Sequence, residues 1–118
     1  MTEILPLLGA AATLGLGLMG LFVPSAAAAF TSLKPIGLLG RSEIRATYGG
    51  LFAAIGLYCL IYREPQAYTL AGCAWLGAAG GRLLSVVVDR SVSPKNLGGV
   101  LFEGLIGLCL LAPRLLEI

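Results

Sequence analysis

The sequence predicts an all-α integral membrane four-helix bundle, and three observations carry that prediction. Hydrophobic residues make up 58% of the 118 and charged residues 12%, where soluble domains carry roughly a quarter charged. Mean hydropathy is +0.93. Four apolar runs, at about 4–29, 43–62, 67–88 and 97–116, each reach the roughly 20 residues that a helix needs to span hydrocarbon. They fill nearly the whole chain and leave a single transmembrane domain, 1–118, with no soluble part.

Composition also excludes several functions. The net charge of +2 comes from eight basic and six acidic residues scattered through the connections, so no basic tract is present to bind nucleic acid. There is no histidine, and no cysteine pair stands at zinc-site spacing, so neither a metal nor another cofactor is expected. Cys59, Cys73 and Cys109 each lie inside an apolar run and read as small packing residues.

The first run ends in Pro24-Ser25-Ala26-Ala27-Ala28-Ala29, which imitates a secretory cleavage site. Its start lacks the positive n-region of a signal peptide and carries Glu3 instead, so the run reads as a spanning helix. At 100° per residue, Gly9, Thr13, Gly17, Gly20 and Pro24 form one stripe, which lets another helix approach closely in lipid. Phe30 to Arg41 follows as a connection broken by Lys34-Pro35, Gly37 and Gly40, and its Leu33, Ile36, Leu38 and Leu39 give it an interfacial character.

The second run opens on Ser42 as N-cap, with Glu43 in the first turn where the helix dipole favours a carboxylate. On an α-helical wheel Glu43, Thr47 and Gly50 share a face, with Arg45, Tyr48 and Phe52 nearly opposite. Arg63-Glu64-Pro65 makes a tight turn into the third run. There Cys73, Gly77 and Gly81 form a small-residue face, and Trp75, Ala78, Arg82, Ser85 and Asp89 form the other. After the connection Asp89 to Asn96, the fourth run places Asn96, Gly99, Glu103 and Gly107 on one face, and Pro113 marks fraying near its end.

Four spans put both termini on one side. Arg63 and Arg114 lie on that side, against Lys34, Arg41, Arg45, Arg90 and Lys95 on the other, so the positive-inside rule places the first and third connections in the cytoplasm and both termini in the periplasm. Arg82 precedes Asp89 by seven residues and Glu103 follows Asn96 by seven. Both therefore sit about 10 Å inside the cytoplasmic boundary. A lone charge at depth costs about 3 kcal/mol at a helix centre, so an Arg82–Glu103 ion pair is expected.

Three readings of that pair stay open. It is an interhelical fastener; or Arg82, Arg45 and Tyr48 hold the polar head of a lipid or other amphiphile; or Glu103 or Glu43 is the titrating group of a proton pathway.

Glu43-Ile44-Arg45-Ala46-Thr47-Tyr48-Gly49-Gly50, then Gly81-Arg82-Leu83-Leu84-Ser85 followed by Asp89, then Glu103 are the pieces by which the chain resembles the domain of unknown function 4345 family, small bacterial membrane proteins with four predicted helices. The likeness spans nearly the whole chain. It departs after the aspartate, where the family carries a small residue and this chain carries Arg90. The resemblance implies the four-helix fold and a bacterial inner-membrane location, and brings no substrate with it.

These readings converge on a polar cluster of Glu43, Arg45, Tyr48, Arg82, Ser85, Asp89 and Glu103. The expected function is non-enzymatic: binding of a membrane lipid or other amphiphile, or an accessory role in a larger membrane complex. The alternative is a small proton-coupled transporter acting as a homo-oligomer. An acid, a base and a phenol occur without the nucleophile, histidine or metal set that an enzyme would need.

Overall fold

The computed structural model describes residues 3–116, and every regular element among them is helical. The order is α1 (Ile4–Phe22), α2 (Pro24–Phe30), α3 (Gly37–Glu43), a π-helical segment (Ile44–Gly50), α4 (Leu51–Tyr62), α5 (Pro65–Val88) and α6 (Pro94–Leu116). Four stretches are long and apolar enough to cross a membrane: Ile4–Phe22, Gly37–Tyr62, Pro65–Val88 and Pro94–Leu116. Large apolar side chains such as Leu8, Leu57, Leu70 and Leu101 face outward on all four, the surface that hydrocarbon requires. The chain is a multi-pass membrane protein of the all-α, four-span class that its composition predicts.

Two compact units are formed, one of Ala10–Tyr62 and the other of Met1–Gly9 with Arg63–Ile118. In the first, α1 lies antiparallel to the π segment and α4, backbone against backbone. A Cβ on Gly56 would meet Leu14 Cα at 2.8 Å and the Ala10 carbonyl at 2.9 Å, and one on Gly49 would meet Leu21 N at 2.7 Å. Gly17 and Gly20 of α1 are as tightly opposed, by Ala53 and Tyr48. Thr13 and Pro24 are buried with them. The stripe expected on the first run is thus a packing face, and small residues are what allow it.

That run is not one helix to Ala29. Pro24 has no N–H to give to the carbonyl one turn back, so α1 stops at Phe22, Val23 leaves the helical region (φ −133°, ψ 65°), and Pro24 restarts the chain as α2. The end of α2 is a Schellman motif: Leu33 N donates to Ala28 O at 2.8 Å and Ser32 N to Ala29 O at 3.2 Å, with Ser32 at φ 61°. Ala27, Ala28 and Ile44 form a small core, with Met19 and Tyr48 packed against it.

Gly37 and Gly40 start a helix rather than break one. Gly37 takes φ 62° and Gly40 lies on Pro35, where a Cβ would come within 3.0 Å of Pro35 C. Ser42 and Glu43 consequently lie inside a 26-residue rod, Gly37–Tyr62, and not at an N-terminus, so the expected N-cap and first-turn roles do not hold. The exposures of Ile36 (88%), Leu38 (86%) and Leu39 (78%) suit the interfacial character read from this stretch.

In the second unit α5 and α6 pack antiparallel. Their closest approach pairs Gly72 with Gly107: a Cβ on Gly72 would lie 2.9 Å from Gly107 O, and one on Gly107 would lie 3.1 Å from Gly72 O. Tyr68, Ala71, Gly72, Trp75 and Ala79 form the buried stripe of α5. The expected packing face of Cys73, Gly77 and Gly81 points the other way, into open space. Two buried aromatic rings and the charge of Arg82 lie on the inward face, and their burial and pairing outweigh the modest gain of a glycine stripe. On α6 the expected face is the packed one, with Gly99 under Arg82 and Gly107 under Leu76. Both helices start earlier than the apolar runs, at Pro65 and Pro94. Ser93 caps α6 by accepting Asn96 N–H at 3.1 Å. Pro113 does not end α6, which continues through Leu116; the missing donor falls in the last turn, where little is lost.

Candidate functional site

Arg82 sits two turns from the end of α5, and its side chain crosses the surface of α6 over Gly99. A Cβ there would lie 2.8 Å from Arg82 Nε and 3.0 Å from Cζ, so the absence of a side chain at Gly99 makes room for the guanidinium. Nε donates to Glu103 Oε1 at 2.9 Å and Nη2 to Oε2 at 2.9 Å, the bidentate fork that a planar guanidinium and a carboxylate form best. Nη1 donates to Asn96 Oδ1 at 3.1 Å. The Asn96 amide then donates to Ser91 O at 2.8 Å and reaches Ser91 Oγ at 3.3 Å. Glu103 is the better covered partner, its side chain 13% exposed against 33% for Arg82.

The chain of contacts ties α5 to α6 and α6 to the loop between them. The ion pair is the one that equal depth on neighbouring helices predicts. Asn96 is the partner that sequence reading left out of the cluster, although its spacing to Gly99 and Glu103 put it on the same face. Ser85 and Asp89 meet each other along α5, with Ser85 Oγ donating to Asp89 Oδ2 at 2.7 Å. Arg90 follows at φ 55°. This left-handed position favours glycine.

The other three expected residues belong to the Ala10–Tyr62 unit. Arg45 Nη1 donates to the carbonyl of Leu21, next to the last residue of α1. The proline break leaves the terminal carbonyls of α1 without their usual donors, and the guanidinium takes one of them, a favourable place for a cation. Tyr48 stacks at a tilt on Phe52, with ring centroids 6.0 Å apart at 57°. Glu43 is exposed.

The wheel drawn at 100° per residue does not hold across Ile44–Gly50. A π turn closes at i→i+5, which stacks Ile44 over Gly49, and these two are the buried residues of the segment.

A family model described as a domain of unknown function (DUF4345) matches residues 1–112. No curated protein and no solved structure gives a significant match.

Proposed function

We propose that this chain, which belongs to the DUF4345 family, is a non-enzymatic accessory subunit that docks a neighbouring helix of a larger membrane assembly on the outer face of α5. One observation carries the reading. Gly77 and Gly81 have no atom within 4 Å of the place a Cβ would occupy, and Cys73 is exposed on the same stripe. Small residues at spacing four let helix backbones meet closely in lipid, where association depends on van der Waals contact. The opposite face of α5 is committed to α6.

The Arg82–Glu103–Asn96 network supports the same reading, because it locks α5 to α6 and so sets the direction in which the glycine face looks. Three guanidinium donors are already directed at Glu103 and Asn96, which favours a fastener at this point over capture of an amphiphile head. We place the assembly in the bacterial inner membrane, with both termini periplasmic and the side bearing Lys34, Arg41, Arg90 and Lys95 cytoplasmic; the distribution of basic residues supports that orientation.

The test is a Gly77→Leu/Gly81→Leu double variant, followed on native gels of gently solubilised membranes. The large band should give way to the free chain while helix content stays unchanged. An unchanged large band would refute docking on this face.

A further inference from the structure

We infer that the cleft between the start of α5 and the end of α6 binds the headgroup of a zwitterionic phospholipid, a phosphodiester bearing a primary amine. This does not rest on the subunit reading, because none of Cys73, Gly77 and Gly81 lines the cleft. It has a volume of about 420 Å³ and is lined by Glu64, Pro65, Gln66, Thr69, Pro113 and Arg114. That volume falls in the roughly 300–1,000 Å³ range of small-molecule sites.

Position comes first. α5 begins at Pro65 and α6 ends at Leu116, both are membrane-length spans, and they run antiparallel. The cleft therefore opens where two spans leave the hydrocarbon, at the depth of lipid headgroups, and Leu70, 74% exposed one turn deeper on α5, offers apolar surface to an acyl chain.

Charge selects the ligand. Arg114, whose guanidinium fork matches phosphate oxygens, and Glu64, a carboxylate, both line the cleft. A carboxylate in the lining works against a simple anion; together the two fit a group that carries both signs. The neighbouring cation Arg63 stands at φ 53° and faces Glu3 at 3.6 Å, which leaves Arg114 as the cation of the lining. Thr69 Oγ1 donates to Pro65 O at 2.8 Å, so the hydroxyl turns its lone pairs outward toward an ammonium. The Gln66 amide adds a donor and an acceptor. The rings of Pro65 and Pro113 supply the apolar walls.

The test is native mass spectrometry of the purified chain after equilibration in mixed micelles holding equal amounts of phosphatidylethanolamine and phosphatidylglycerol. Retained phosphatidylethanolamine should exceed phosphatidylglycerol about tenfold. Glu64→Gln should cut that ratio about fivefold by losing the ammonium contact, and Arg114→Gln should cut retention of both lipids about fivefold. Circular dichroism checks that each variant is folded; if Arg114→Gln loses helix, the Glu64→Gln ratio decides. Equal retention of the two lipids by the wild type, or a wild-type profile in Glu64→Gln, would overturn the proposal. Displacement of the lipid by an equal concentration of O-phosphoethanolamine would overturn the lipid as source and assign the cleft to a soluble zwitterion.

Discussion

Arg82 and Glu103, 21 residues apart in sequence, join α5 to α6 through two N–H···O bonds of 2.9 Å each. Gly99 makes room for the guanidinium and Asn96 takes a third donor. A pair held this way has its desolvation offset only while both partners are present, since either charge alone is left in a low-dielectric setting.

Arg82→Met and Glu103→Met should therefore each destabilise the protein by about 3 kcal/mol or more, and the double variant should recover to within about 1 kcal/mol of wild type. Reversible unfolding in mixed micelles measures all three. If the pair is only a fastener, the double variant also keeps its place in the assembly; a stable double variant that fails to assemble would give the two charges a further role.

Backbone contact makes the glycines unequal. Gly56→Ala forces a methyl group onto Leu14 and the Ala10 carbonyl, so it should cost about 2 kcal/mol. Gly15→Ala meets nothing within 4 Å and should be neutral or stabilising by up to about 1 kcal/mol, as helix propensity predicts. Equal effects in the same unfolding assay would contradict the α1–α4 crossing.

The four spans and the Arg82–Glu103 pair were legible because length, hydropathy and depth along a helix depend only on position in the chain. Three features were not. The wheel assumes α geometry, so the π turn that aligns Ile44 with Gly49 leaves no sign in a periodicity count. Pro24 falls on the glycine stripe of α1, and its missing donor splits the run. On α5 both faces were plausible for packing, and only the contact with α6 shows that Trp75 and Arg82 turn inward while Gly77 turns out.

Arg45→Gln should loosen the end of α1 and cost about 1 kcal/mol, the usual value of a cation or donor at a helix C-terminus. Hydrogen exchange should show faster opening at 19–23 and little change in α5 and α6. Uniform acceleration across the chain would argue against a local cap.

Arg90 occupies a left-handed position at φ 55°. Arg90→Gly relieves about 1 kcal/mol of backbone strain, partly offset by the greater chain entropy of glycine in the unfolded state. A net stabilisation of about 0.5 kcal/mol is expected, and Arg90→Ala should not reproduce it.

The central claim, that this chain is a subunit, is tested most directly by the mass of the particle released gently from its own membrane. Native mass spectrometry should find the 12.1 kDa chain bound to other, larger polypeptides, and the Gly77→Leu/Gly81→Leu variant should lose them. A lone chain or a bare homodimer from wild-type membranes would contradict the account, and the homodimer would turn attention to transport.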